Sequence, residues 1–313
     1  MATLKALPAL IRESFKRAQD SGDLTFYPTQ VAILTCSGFP FQLRFSPALA
    51  NKPKSNKPKG SKPVDPFENP AKGLFISDLQ PSHYLVLNKF PVTHDHFILA
   101  TREFKEQTDL LEKDDLAAAY QCLKNYRENG EELFGFFNSG EHSGASQPHR
   151  HIQFLPVDSM RTGIQGGPTW SILADKLIDS NDFPFTYFAS QVPNNATPSQ
   201  LHSLYLEMHA KACQIGRLNH TTLHKTTRKE ESPISYNLGL TNHVMVLCPR
   251  TSEGPKISSA TGEIIGPIAL NGTILGGTLL VKNEEEWQAL RNDESKLMDI
   301  LDTIGIPSAK NET

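Results

Sequence analysis

The chain has 313 residues, with 34 acidic against 31 basic side chains and a formal charge of −3. No basic excess points to nucleic acid or an anionic membrane surface. At 38% hydrophobic residues, a chain of this length builds a core without staples. The four cysteines, Cys36, Cys122, Cys213 and Cys248, lie far apart with no C-x-x-C pair. That spacing excludes a zinc knuckle and a dense disulfide framework, and reads as buried free thiols in a reducing compartment.

Leu4, Leu7, Leu10, Ile11 and Phe15 recur at helical spacing and predict an opening amphipathic helix. The stretch lacks the apolar segment of a signal peptide, and Glu13 and Asp20 argue against a mitochondrial presequence. No apolar run reaches the roughly 18 residues of a membrane span, so a cytoplasmic, or also nuclear, location is expected. Short strands are predicted over 31–35 and 41–45 around a Ser37-Gly38 turn. Residues 51–63, NKPKSNKPKGSKP, then carry five lysines and no acid. Proline and lysine build no core there, so the stretch is an exposed loop. It is either a solvated linker or a cationic flap over a polyphosphate.

Strands follow over 83–87 and 96–100. A helix is predicted over 108–128, with Leu116, Ala119, Tyr120, Leu123 and Tyr126 on one face and Asn129-Gly130 as its stop. Strands 133–138 and 149–155 enclose the loop NSGEHSGASQP. In the second half, a helix over 201–217, strands over 235–241, 244–248 and 274–282, and a closing helix over 284–301 are expected. The fold class is therefore α+β on antiparallel sheet, with a hint of two related lobes. Only the order Asn88, His96, Arg102 against Thr241, His243, Arg250 recurs.

Chemistry concentrates in 138–156, NSGEHSGASQPHRHIQFLP. On a strand, His149, His151 and Gln153 share one face, while Arg150 and Ile152 share the other. Upstream, Ser139, Gly140, Ser143, Gly144 and Ser146 make a small-residue loop whose N–H and hydroxyl groups suit phosphate oxygens. Three readings follow. Two histidines two apart could ligate a metal, but no third Glu or Cys ligand completes the pattern. They could be satisfied polar residues on an exposed face. Or a neutral imidazole attacks phosphorus and the loop stabilises the developing charge.

The string N-x-G-x-x-x-G-x-S-x-x-H-x-H-x-Q, at Asn138, Gly140, Gly144, Ser146, His149, His151 and Gln153, resembles the histidine-triad superfamily. Within it, the chain is similar to the fungal-type diadenosine tetraphosphate phosphorylases (ATP adenylyltransferases). The segments LNKFPVTHDHFIL, ISYNLGLTNHVMVLCPR and ALNGTILGGTLLVKNEEEW extend the likeness over nearly the whole chain. The resemblance implies a histidine-triad-like antiparallel sheet with flanking helices and two lobes. An N-terminal phosphorylase domain would span 1–200 and a C-terminal adenylyltransferase domain 201–313. It also implies phosphorolysis of diadenosine tetraphosphate to ATP and ADP through an adenylyl-histidine.

By position, the resemblance makes His151 the nucleophile, His149 its orienting neighbour, and Gln153 the non-titrating replacement for a third histidine. Asn88 and Lys89 match the ribose-contacting region. Asn138, Gly144, Ala145, Ser146 and Gln147 fall on the phosphate loop, with Ala145 where many relatives carry glutamine. Asn271, Gly272, Thr273 and Lys282 match positions lining the nucleotide pocket, and Lys54 matches a lysine over the polyphosphate. His96 corresponds to a buried structural histidine. The implied partners are dinucleoside polyphosphate, ATP, ADP and phosphate. Neither nucleic acid nor membrane is implied, and the chain is expected to be a monomer. No tightly bound cofactor is implied, and Mg²⁺ would arrive with the polyphosphate. The rivals are a dinucleoside polyphosphate hydrolase, a hexose-1-phosphate uridylyltransferase and a non-catalytic nucleotide sensor.

Overall fold

The computed structural model describes residues 6–50, 65–79, 81–165, 170–180, 183–218, 226–258 and 262–308. In chain order the first half comprises α1 (Leu7–Ser21), β1 (Gln30–Cys36), β2 (Phe39–Phe45), α2 (Pro47–Ala50), β3 (Phe75–Leu79), β4 (His83–Leu87), β5 (Phe97–Thr101), α3 (Lys113–Glu128), β6 (Leu133–Ser139) and β7 (His151–Pro156). Then follow α4 (Val157–Arg161), α5 (Leu173–Leu177), β8 (Phe188–Gln191), α6 (Pro198–Leu218), β9 (Ser235–Leu240), β10 (Val244–Arg250), β11 (Lys256–Ser258), β12 (Ile264–Pro267), β13 (Thr278–Val281), α7 (Glu284–Asn292) and α8 (Ser295–Ile304).

Eight strands form one antiparallel sheet in the order β3-β4-β5-β7-β6-β9-β10-β8. The connectivity repeats about the β6/β9 junction. β7 and β5 lie outward on one side, β10 and β8 on the other, and α3 and α6 lead into the two central strands and pack together. Two related lobes thus share one unbroken sheet. The recurrence of Asn88, His96 and Arg102 with Thr241, His243 and Arg250 does not follow this relation. By sheet position β9 and β10 match β6 and β7, whereas Asn88 and His96 flank the β4–β5 connection.

Both faces of the sheet are covered, which is why β6, β9 and β10 are buried along their whole length. Phe137, Ile152, Phe154, Leu238 and Leu247 join one core with Leu7, Ile11, Leu116, Leu123 and Tyr205 of α1, α3 and α6. Phe134, Phe136, Leu155, Val246 and Cys248 join a second core with Phe41, Leu43, Trp170, Leu275, Trp287 and Leu301. That second layer includes the three-stranded sheet, in which β13 returns to pair in parallel with β2. All four cysteines are free and buried.

Local chemistry explains where the elements differ from the periodicity. α3 starts at Lys113 because Glu112 and Asp115 form a reciprocal capping box there. The expected strand over 274–282 is a 3-10 turn over Gly272–Gly276 followed by the short β13. Gly277 takes φ 74°, and its left-handed conformation ends the turn. The expected closing helix is two helices. The Asp293 carboxylate accepts from the Ser295 N–H and hydroxyl, and this local alternative to helical hydrogen bonding breaks the run.

Candidate active site

β7 lies between β5 and β6, and its register sets Gln153 between Ile98 and Phe136 and His151 beside Ala100. Val86 continues this row across β4. On this end of the sheet face the covering layer is the segment leading from Asp65 into β3. The result is a cavity of about 550 Å³. Its apolar wall includes Phe67, Leu74, Val86 and Ile98, and its polar wall Asn88, Lys89, Ser146, Gln147, His151 and Gln153. Six residues singled out in the sequence therefore meet in one place.

His151 is 4% exposed. Its Nδ1 lies 2.8 Å from the His149 carbonyl oxygen, and only an N–H can bond there. The tautomer is thereby fixed, and Nε2 keeps its lone pair. Burial, against the hydrogen bond to His149, pushes the ring pKa down to about 4. The Phe67 ring stands 5.0 Å from the His151 ring. His149 is fully buried and begins before β7, bridged to Glu106 rather than paired in the ladder. Its Nε2 donates to the Thr101 carbonyl at 2.8 Å, and its Nδ1 lies 2.6 Å from the Asp65 carboxylate. With both nitrogens occupied, His149 offers no lone pair to a metal and acts as a strut.

Gln153 Oε1 accepts from His96 Nε2 at 3.1 Å. His96 Nδ1 in turn faces Asn88 Nδ2 at 3.1 Å, and Asn88 Oδ1 accepts the Phe90 N–H at 2.9 Å. Burial lowers the His96 pKa to about 4, so this ring is neutral. Lys89 sits at the cavity rim with Nζ 5.6 Å from the Phe90 ring.

The glycine-serine loop is built against the second half of the chain. Gly144 has φ 76°, and a Cβ there would lie 2.6 Å from the Leu270 carbonyl oxygen and 2.8 Å from Asn271 Cβ. Its glycine serves a close approach to protein, a role different from the approach to ligand expected from the sequence. The N–H groups of His142, Ser143 and Ala145 bond to Ser235 Oγ, Gly140 O and Ser143 Oγ. Ser146 and Gln147 remain at the cavity.

Asn138, expected on the phosphates, is 2% exposed. Its Oδ1 accepts from Gly272 N at 2.8 Å and Asn237 Nδ2 at 2.9 Å. Asn271 caps the 3-10 turn by accepting from the Thr273 N–H and hydroxyl. Asn138, Asn271, Gly272 and Thr273 therefore form the joint behind the loop and do not line the cavity. Beneath them Arg250, 1% exposed, donates to Asn237 Oδ1 and to the carbonyls of Ile304, Ser252, Glu253 and Leu270. Lys282 is exposed beside β13, its N–H on Glu286, and also stands off the cavity. Lys54 lies outside the described residues.

Sequence reasoning missed three side chains. Asp65 clamps His149 and also accepts the Phe67 N–H at 2.8 Å, which fixes Phe67 beside His151. Gln107 fills a gap in the sheet. The β6–β7 ladder ends at Phe136 and Gln153, and the Gln107 amide takes over the next position. It donates to Asn138 O and His151 O at 2.8 and 3.2 Å and accepts the His151 N–H at 2.8 Å. Arg150, on the opposite face, anchors the strand to α3 through Asp115 at 2.9 Å and Glu112 at 3.0 Å. Burial opposes ionisation of Asp115, yet the hydrogen bond from His83 and the Arg150 charge hold its pKa below the usual range. None of these carries a local signal except the Asp-Pro turn at Asp65.

Residues 2–174 match the family model for the Ap4A phosphorylase N-terminal domain, and residues 181–307 that for the ATP adenylyltransferase C-terminal domain. The chain is 30% identical to diadenosine 5',5'''-P1,P4-tetraphosphate phosphorylase 2 of Saccharomyces cerevisiae, covering 87% of this chain and 85% of that one. It is 27% identical to Protein APA1 of the same yeast, covering 98% and 96%. The crystal structure of yeast Ap4A phosphorylase Apa2 in complex with AMP superposes with a TM-score of 0.77 at 24% identity over 98% of both chains. That likeness establishes the shared fold.

Proposed function

The chain belongs to the Ap4A phosphorylase and ATP adenylyltransferase family, and on that premise we propose that it phosphorolyses diadenosine tetraphosphate to ATP and ADP. The observation that carries the chemistry is the His151 ring, whose Nδ1–H is spent on the His149 carbonyl so that Nε2 keeps its lone pair. That nitrogen attacks the α-phosphorus of one adenosine. An N–P bond forms, the P–O bond to the tetraphosphate remainder breaks, and ATP leaves with the electron pair. An oxygen of inorganic phosphate then attacks the same phosphorus, the N–P bond breaks, and ADP departs.

The low pKa of His151 suits a nucleophile that is unprotonated throughout the physiological range. Gln153 cannot titrate, and ATP is a stable leaving group, so no general acid is required at that position. Its amide, with Ser146 and Gln147, supplies donors to the phosphoryl oxygens as charge builds. Phe67, Leu74, Val86 and Ile98 offer a purine an apolar wall. Lys54 is proposed for the outer phosphates and the acceptor anion. Mg²⁺ enters with the polyphosphate as part of the substrate.

Purified protein given diadenosine tetraphosphate and phosphate is expected to release ATP and ADP in equal amounts. AMP formed without phosphate would instead support hydrolysis. His151→Ala is expected to abolish both turnover and an acid-labile adenylyl adduct, and survival of activity near the wild-type rate overturns the mechanism.

A further inference from the structure

The hydrogen bonds around Gln153 form a chain whose direction is set at one end. The Phe90 backbone N–H can only donate, so the Asn88 atom facing it is Oδ1. Asn88 Nδ2 therefore faces His96, and His96 Nδ1 must accept. A neutral imidazole that accepts at Nδ1 carries its proton at Nε2, and Nε2 is the nitrogen facing Gln153. The Gln153 atom there must then be Oε1. Its NH2 group is left for the cavity that Gln153 lines beside His151.

We infer that His96 is a positioning residue which, through this relay from the Phe90 N–H and Asn88, holds the Gln153 amide with its two N–H donors toward the reacting phosphoryl group. An amide without this anchor loses its fixed orientation and presents oxygen to the phosphate in some of its conformers, where oxygen facing anionic oxygen repels. His96 is 7% exposed and forms the link between the β4–β5 connection and β7. It does not itself line the cavity; its effect on the phosphoryl group passes through Gln153, which it contacts. A buried ring kept neutral is needed for this task. A doubly protonated His96 would set two N–H groups against each other at Asn88.

The kinetic arm of the test rests on the phosphorolysis proposed above, and the spectroscopic arm does not. In the first arm, kcat and KM are measured for His96→Leu, Gln153→Leu, their double variant and Gln153→Glu, with thermal unfolding of each. Gln153→Leu removes one transition-state donor and is expected to lower kcat about a hundredfold. His96→Leu frees the amide and is expected to lower kcat about tenfold, with KM nearly unchanged. In the Gln153→Leu background, His96→Leu should cost less than about twofold more, because its target is gone. Gln153→Glu still accepts from His96 but turns an oxygen to the cavity, so it should be at least as damaging as Gln153→Leu. Multiplying losses in the double variant, or near wild-type kcat for Gln153→Glu, overturns the inference.

In the second arm, the ring nitrogens of His96 are read by ¹⁵N NMR of the wild-type protein at neutral pH. The Nε2–H tautomer is expected, and the Nδ1–H tautomer or a doubly protonated ring overturns the relay even if the variants fail to fold. If the wild-type protein forms no ATP and ADP, the proposed function fails, while the tautomer still decides the relay.

Discussion

Gln107→Leu removes a side chain that stands in for missing sheet pairing at His151, the proposed nucleophile. The substitution is nearly isosteric, so it leaves no large cavity, and its effect isolates three hydrogen bonds. Gln107 is 2% exposed, and its amide serves the Asn138 carbonyl, the His151 carbonyl and the His151 N–H. The orphaned N–H of His151 costs about 1–3 kcal/mol, and each lost bond to a carbonyl about 1 kcal/mol. The sum, about 3–5 kcal/mol, is a large share of the 5–15 kcal/mol typical of a folded protein. Denaturant unfolding followed by the buried Trp170 and Trp287 measures it directly. Turnover should fall further than stability predicts, because a shift of about 1 Å in a reacting group costs about a hundredfold. Gln107→Glu sharpens the case. It keeps an acceptor for His151 N–H but sets an oxygen against two carbonyl oxygens, and should destabilise by a similar amount. If Gln107→Leu unfolds within about 1 kcal/mol of wild type and retains full kcat, the idea that this amide replaces the ladder is wrong.

Burial holds His96, His151 and His209 at about 4, below the ordinary 6.5. The unfolded chain therefore binds protons that the folded one does not between those values. Stability is full above about pH 6.5 and is lost as pH falls toward 4; a denaturation midpoint that stays level from pH 7 to 4.5 contradicts this. Gly144→Ala adds both a strained φ of 76° and a Cβ contact of 2.6 Å, whereas at Gly130 the φ is 75° with open space. Gly144→Ala should cost about 2 kcal/mol or more and Gly130→Ala about 1; equal costs in unfolding titrations would mean the Leu270 contact is unimportant. Asp65→Ala releases both the His149 ring and the Phe67 N–H and should weaken AMP binding several-fold by calorimetry. Unchanged affinity would show that Phe67 needs no such pin.

The residues proposed for the chemistry were legible in the order of the chain. His151 and Gln153 alternate on a strand and the flanking glycines mark a loop, because strand period and turn preference are local properties. The α+β class and most strands followed from the same short-range patterns. Tertiary structure alone decided which distant groups surround those residues. Asp65 is 84 positions from His149, and Gln107 is 44 from His151, so neither pairing leaves any trace in local periodicity. Asn138, Asn271 and Gly272 were expected at the ligand from the family resemblance, and polar and small residues serve tight joints as readily as phosphates. The hydrogen bonds of Asn138 Oδ1 with Gly272 and Asn237 assign them to the joint. The opening charge of −3 likewise records nothing of the site, where a fixed imidazole tautomer and the direction of a buried amide matter. Both are set by which groups the fold brings within 3 Å or so, and a count of residues contains no distances.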